Sequence, residues 1–544
     1  MEKNLPDTPG ASALAAVFGD FLKRQSGTDR EEIAAVGSAL VTARNNGDSY
    51  ILPDDASCAL IRSVPALTEG ELPLLVLDGR RLYLNREYRN ETSLARNIAN
   101  RLKAPAPEQP FSDAEIVAAF QRTPNEEQKA AVKNALQQNF SIISGGPGTG
   151  KTTIIAALVT LELKRDPGLL IEVAAPTGKA AELLTKGLAE ACPEHPVKAR
   201  TLHALFKARP DTGKFGYNSI SPLECDLLIV DECSMISLDV AARMFEGLKP
   251  ETRVVFSGDH RQLEAIGSGA VLSSLLNAAA DRSPGSEKLQ SAGTELTVNY
   301  RSRQAPAIQA LARAVRERVP DDELCEMICR SVPPNYIFRE NSPDSRKELL
   351  NAAFEHWKDL PRLAARITPE SVKDAFGLLK SFRIITAMRV GSEGCAKLNQ
   401  EILSVLGIAG SYAPGSALMI TRNCRRTGLA NGDVGIAFTD DSGGVKVCFE
   451  DHPRPFPVHE LPEHESAFAM TVHKAQGSGF QEVYFPMPQA DTPLLTRELF
   501  YTALTRAALK ITISGGKEQV LAALGRECRR ATALTERLLE NLNQ

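Results

Sequence analysis

The sequence predicts an α/β protein made of two doubly wound parallel units, with a small β-barrel inserted in the second and a mainly helical module in front. Three observations predict it. Apolar β-type runs alternate with helical segments from about residue 140 to 270, and the alternation resumes at 382, as in a parallel sheet covered by helices. Polar clusters stand at the carboxyl ends of the first unit's runs, where such sheets hold ligands. Between 417 and 460, short runs separated by Gly, Asn and Asp turns break the alternation as a small barrel would.

At 544 residues the chain has room for roughly three or four domains. The expected division is a front module at 1–110, a first α/β unit at 111–282, a second at 283–414 and 463–544, and the barrel at 415–462. Apolar content is 43% and charged content 24%, values of an ordinary water-soluble chain, and the net charge of −4 excludes a protein coated in positive charge. A local basic channel remains compatible with that charge. The ten cysteines are scattered without metal-ligand spacing, the N-terminus is polar, and no apolar run is long enough to span a bilayer. The expectation is a cytoplasmic protein with reduced cysteines and no membrane partner.

In the front module, Ala11 to Leu22 and Glu31 to Ala43 carry helical spacing, β-like runs follow at Leu74–Leu77 and Arg81–Leu84, and a third helix is expected over Thr92–Leu102. A proline-rich linker then leads to a helical stretch at 113–139, where Pro124 is placed to open a helix and Gln128 has an amide able to read both edges of an adenine. Residues 206–220 read as a small hairpin insertion. From 283 to 380 the pattern is mostly helical.

The strongest chemistry lies in Ser144-Gly-Gly-Pro-Gly-Thr-Gly-Lys-Thr-Thr153, between an apolar strand and a helix. Gly145, Gly150, Lys151 and Thr152 fit a phosphate-binding loop. Gly146, Pro147, Gly148, Thr149 and Gly150 let the backbone N–H groups and the helix N-terminus of Thr152-Thr153 face an anion. Lys151 supplies charge for the β- and γ-phosphates, and the Thr152 hydroxyl suits Mg²⁺. The strand at 226–230 ends in Asp231-Glu232, a carboxylate pair fitted to Mg²⁺ and water activation, and the next strand ends in Ser257-Gly-Asp-His-Arg-Gln262.

Taken in order, these segments with Ala175–Leu184, Arg200–Phe206, Leu296–Ser302, Ala417–Phe438, Leu461–Phe480 and Leu499–Ile513 resemble the motif series of superfamily 1B DNA helicases. Within them the series is most similar to the RecD family, motor subunits of helicase–nucleases. The resemblance implies two RecA-like phosphate-loop lobes, an SH3-like inserted barrel, and ATP with Mg²⁺ bound between the lobes. It implies that Asp231 supports the metal with Thr152, that Glu232 is the base for water, and that Gln262 senses the γ-phosphate. Arg301 and Arg506 would reach the site from the second lobe as arginine fingers. Thr177, Lys179, Thr201, His203, Thr471, His473 and Lys474 match positions that touch single-stranded DNA.

What the resemblance implies in activity is a 5′-to-3′ DNA helicase acting at single- or double-stranded DNA ends, in a heterotrimer with RecB-like and RecC-like subunits. The front module, which carries no chemistry of its own, would dock those partners. Clustered carboxylates and lysine of a nuclease are missing from the sequence, so no intrinsic nuclease is expected. A stand-alone helicase, or an ATPase switch that does not unwind, are the alternative readings. The motifs depart from the family pattern at Cys233, in Arg261-Gln-Leu-Glu264 around its glutamine, at Gly479 and at Ala508-Leu509, and none of these departures removes a nucleotide-handling group.

Overall fold

The structure, a computed structural model, describes residues 9–108, 111–209, 212–300, 304–424 and 426–544. The chain is α/β, with two parallel sheets that carry helices. The first sheet has six strands in the order Arg200–Thr201, Ile171–Ala175, Leu227–Val230, Arg253–Gly258, Phe140–Gly145, Gly293–Leu296, all paired in parallel. Its three central strands are buried along their whole length, which is why they read as unbroken apolar runs. The second sheet has five parallel strands, ordered Tyr336–Glu340, Ala507–Gly515, Phe480–Pro486, Phe382–Thr386, Ala469–Thr471.

Between Phe382–Thr386 and Ala469–Thr471 the chain makes a five-stranded antiparallel sheet, Phe456–Pro457, Val445–Phe449, Val434–Thr439, Ala417–Ile420, His464–Ser466. Leu418, Ile420, Ala437, Val447 and Phe456 give it an apolar core of its own. It sits against the first unit: a Cβ on Gly178 would come within 2.7 Å of Ala430 Cβ.

The front module has a three-stranded antiparallel sheet under helices. Helices Pro9–Gln25 and Glu31–Asn45 cross where Gly19 meets Gly37, so closely that a Cβ on Gly19 would lie 2.4 Å from Ala34 O. Strands Leu75–Asp78 and Arg81–Leu84 lie where expected, but the helix expected over Thr92–Leu102 spans Asn85–Lys103. Its first turn is polar and gives no periodic signal, yet Glu87 and Glu91 are buried as ion-pair and hydrogen-bond acceptors.

Three further differences bear on the site. The strand Gly293–Leu296 pairs with the phosphate-loop strand, so the first unit extends past 282. After helix Lys517–Leu524 the chain leaves the second unit, and Leu534–Asn543 packs on helices Asn85–Lys103 and Val271–Ala280. The described residues of 206–220 form no strand: Arg209 N donates to Lys214 O at 2.8 Å, and Phe215 stacks on Phe206 at 5.2 Å. Among the described residues no helix is long and apolar enough to cross a membrane.

Candidate active site

The phosphate loop leaves strand Phe140–Gly145 and enters helix Lys151–Arg165. Gly148 and Gly150 have φ of 81° and 92°, a left-handed backbone that side chains resist. A Cβ on Gly150 would lie 2.4 Å from Gln128 Nε2, and one on Gly146 would lie 3.0 Å from the Tyr501 hydroxyl. The loop is braced from both sides: Tyr300 N donates to Gly148 O at 2.8 Å, Asn299 Nδ2 donates to Pro147 O at 2.9 Å, and Thr149 Oγ1 donates to Gly146 O at 2.9 Å. Lys151 Nζ donates to Gly145 O at 2.7 Å, which places the ammonium in the concavity of the loop.

Gln128 is engaged in this bracing. With Asn125 it forms a reciprocal cap at the start of helix Glu126–Gln137, two residues later than Pro124 would have opened it. Its Oε1 accepts from Asn125 N at 3.1 Å and its Nε2 donates to Thr149 O at 3.1 Å. These bonds occupy one of the two Nε2 hydrogens and one of the two Oε1 lone pairs, so they hold the amide in place without excluding the adenine contact expected from sequence.

Asp231 and Glu232 follow strand Leu227–Val230. Asp231 accepts from Ser257 Oγ at 2.6 Å. Glu232 has φ 53° and ψ 41°, a left-handed conformation that costs a non-glycine residue of order 1 kcal/mol or more. Burial raises its carboxyl pKa and Asp231 beside it raises it further, while Lys151 and Arg506 pull it back. Oxygen donors, one from Asp231 and one from Thr152, fit Mg²⁺, which takes one or two protein ligands besides phosphates and water. Thr152 has its methyl carbon seated where a Cβ on Gly187 would come within 2.7 Å. Among the described residues no cluster of three or more His, Cys, Asp or Glu is placed to hold a metal by itself.

Gln262 and Arg506 meet across the two units. Arg506, 3% exposed, donates from Nη2 to Gln262 Oε1 at 3.1 Å, from Nη1 to Ser478 O at 2.9 Å and from Nε to Thr502 O at 3.2 Å. Gln262 Nε2 in turn donates to Asp259 Oδ2 at 2.9 Å, and the Tyr501 hydroxyl donates to the same oxygen at 3.2 Å. Gln476 Nε2 donates to Leu263 O at 2.9 Å, and Leu263 N donates to Thr502 Oγ1 at 3.0 Å. Ser257, Asp259, Tyr501, Thr502 and Gln476 were not singled out in the sequence. Ser257 lies at the end of the buried strand Arg253–Gly258 and Asp259 directly after it, in the polar run the sequence shows there; the others become legible only once the two units face each other. Arg301 lies outside the described residues.

The residues matched to DNA contacts are scattered over loop ends. Thr177 Oγ1 accepts from Ala180 N and Thr201 Oγ1 from Ala204 N, both at 3.2 Å, so these two hydroxyls cap helices. Thr471 Oγ1 accepts from Lys474 N at 3.4 Å. Lys179 pairs with Glu182 at 3.1 Å and with Asp451 of the inserted sheet at 3.3 Å, and Lys474 pairs with Glu465 at 2.6 Å. His203 has its ring edge-on to Phe215 at 5.9 Å. His473 is half-buried, and burial with Arg530 nearby lowers its pKa. Lys179, Lys186, Lys380, Arg383 and Lys474 line a cleft of about 500 Å³ between the first unit, the second unit and the inserted sheet.

A braced phosphate loop, a carboxylate pair at the end of a buried strand and an arginine reaching in from a second parallel unit define a two-lobed phosphate-loop ATPase of the superfamily 1 helicase type. Residues 128–268 match the family model of an AAA domain, and residues 466–514 match that of the UvrD-like helicase C-terminal domain. The chain is 34% identical to the RecBCD enzyme subunit RecD of Mycolicibacterium smegmatis, with 92% of this chain and 91% of that protein covered. It is 30% identical to the RecBCD enzyme subunit RecD of Haemophilus influenzae over 85% of this chain and 80% of that protein. It is 28% identical to the ATP-dependent RecD2 DNA helicase of Deinococcus radiodurans over 90% of this chain and 64% of that protein. The chain belongs to the RecD family.

Proposed function

We propose that the chain is an ATP-dependent 5′-to-3′ DNA helicase, the motor subunit of a recombination-repair complex with RecB-like and RecC-like partners that acts at DNA double-strand ends. The observation that carries this reading is the Arg506–Gln262 bond beside Lys151 and Glu232, because it makes the contact between the two units depend on the nucleotide site. The two parallel sheets serve as RecA-like lobes and the inserted antiparallel sheet as the SH3-like domain. ATP binds on the loop of residues 146–153. Lys151 holds its phosphates, Thr152 and Asp231 hold Mg²⁺, and Glu232 takes the proton of the attacking water. The bound Mg²⁺ supplies neutralisation of phosphate charge. Arg506, with Arg301, stabilises the charge that develops, and loss of the γ-phosphate changes what Gln262 and Arg506 can bond.

Single-stranded DNA runs over Thr177, Lys179, Thr201, His203, Thr471, His473 and Lys474, and the stepping of the lobes moves it. The front module docks the partners; Leu14, Val17 and Phe21, exposed along one side of helix Pro9–Gln25, are its contact surface. A cytoplasmic setting suits the ten unpaired cysteines. The test uses duplexes with a 5′ or a 3′ single-stranded tail, in DNA and RNA, with and without the partner subunits. Strand separation of the 5′-tailed DNA alone is expected. Hydrolysis without separation, in every combination, replaces the motor by an ATPase switch, and equal unwinding with no partner present favours a stand-alone helicase.

A further inference from the structure

The loop that follows Gln262 is gripped by a residue from the far end of the chain. Arg530 has a side chain 9% exposed. Its Nη1 donates to Gly267 O and Gly269 O, both at 2.8 Å, and its Nη2 donates to Ala265 O at 2.5 Å. Its Nε lies 3.0 Å from Glu264 Oε2. Three carbonyls converge on one guanidinium because Gly267 and Gly269 take φ of 129° and 78°, a backbone other residues resist.

The front module holds the same loop. Gly269 N donates to Gly47 O at 2.8 Å, and Ser268 Oγ donates to Glu87 Oε2 at 2.5 Å. Gly47 lies so close to the guanidinium that a Cβ there would sit 2.6 Å from Arg530 Nε. The segment that carries Arg530 is tied to the module as well: Ala531 N donates to Asp48 Oδ1 at 2.7 Å, and Ser49 N donates to Ala531 O at 2.8 Å. At its other end the loop begins at Leu263, which the second unit holds through Thr502 and Gln476.

We infer that Arg530 is a positioning residue for ATP hydrolysis: by fixing loop 264–269 it sets where Gln262 stands against Arg506, and it passes the state of the front module to the nucleotide site. The inference rests on the proposed function. Its physical basis is the number of groups that depend on one side chain. Without the guanidinium, the carbonyls of Ala265, Gly267 and Gly269 lose their shared donor, and the Glu264 carboxylate, whose pKa burial already raises, loses its ion-pair partner. The loop then shifts to find partners, and a displacement of about 1 Å at a group positioned for a transition state costs up to about a hundredfold in rate.

The experiment measures DNA-stimulated ATP hydrolysis and ADP affinity for the full chain, its R530A variant and its R530K variant. R530A is expected to lower kcat about tenfold or more, with ADP affinity held within about threefold because the phosphate loop is untouched. R530K, which keeps the charge on a compact head, is expected to recover part of that loss. Should R530A fail to fold, R530K alone carries the reading, with a smaller fall in kcat at constant ADP affinity. Active wild-type chain with unchanged kcat in both variants overturns the inference and leaves the functional reading standing. A parallel fall of kcat and ADP affinity makes Arg530 merely structural and also overturns it. Wild-type chain without DNA-stimulated turnover overturns the functional reading, and this inference with it.

Discussion

Arg506 Nη2 donates to Gln262 Oε1 at 3.1 Å, which joins the residue before strand Ala507–Gly515 of one sheet to a residue just past strand Arg253–Gly258 of the other. Both side chains are buried, and each has a second anchor in its own unit, Ser478 O for Arg506 and Asp259 for Gln262. R506A is expected to lower kcat about a thousandfold, the scale of an arginine that meets transferring phosphate. R506K is expected to rescue little, because one ammonium cannot span Gln262, Ser478 and Thr502 as the planar fork does. Q262A should cost less, and the Q262A/R506A pair less than the sum of the two, since they share one bond. Steady-state ATPase rates of the four proteins test this; strict additivity would mean the bond carries no coupling.

Lys151 donates to Gly145 O at 2.7 Å and Gly146 O at 3.3 Å, so its ammonium already lies over the loop it serves. K151A removes the one positive side chain on that loop and should abolish turnover, while melting stays cooperative because the strand and helix on either side keep their buried cores. Calorimetry alongside the ATPase assay checks both halves. Residual turnover above about 1% of wild type would place the phosphates elsewhere.

The phosphate loop, Asp231-Glu232 and Gln262 were legible because each is a short polar run at the end of a buried strand, where backbone geometry does most of the positioning. Gln128 was legible as a residue but not in its bonds, although Asn125 and Gln128 stand at capping-box spacing. Gly293–Leu296 and Arg530 were not legible at all. The strand joins the first sheet through a pairing about 150 residues away in sequence, and nothing in Gly-Thr-Glu-Leu names that partner. Arg530 sits in a run of charges, Arg526-Glu-Cys-Arg-Arg530, that locally reads as a solvated surface. Only the return of the C-terminal segment to the first unit and the front module buries it.

Glu232 gives a pH prediction whose sign follows from its environment. Its pKa is raised in the folded chain, so the folded state holds this proton more tightly than the unfolded state does. The stability it contributes is present below the unfolded value and is lost as pH rises through the folded value. A base must be ionised to act, so the acidic limb of kcat should lie above the ordinary glutamate range. E232Q should abolish hydrolysis yet melt higher than wild type at pH 8, because a neutral amide bears no ionisation cost beside Asp231. A lower melting temperature for E232Q at pH 8 would show that the carboxylate is stabilised rather than opposed by its neighbours.

Asp451 of the inserted sheet holds both lysines that the first unit offers to the central cleft, Lys179 at 3.3 Å and Lys186 in a shorter contact, and Glu182 joins the cluster through Lys186 at 2.8 Å. A phosphate backbone entering that cleft must compete with these carboxylates for the same ammonium groups. D451N keeps the side-chain shape and removes the competing charge, so it should tighten binding of a single-stranded oligonucleotide severalfold at low salt. K179A should weaken binding, and the slope of log affinity against log salt should fall by about 1, the signature of one lost phosphate contact. Fluorescence anisotropy across a salt series measures both. Unchanged slope in K179A would take Lys179 off the DNA path and leave it as the tie between the first unit and the inserted sheet, in which case D451N would loosen that junction without improving affinity.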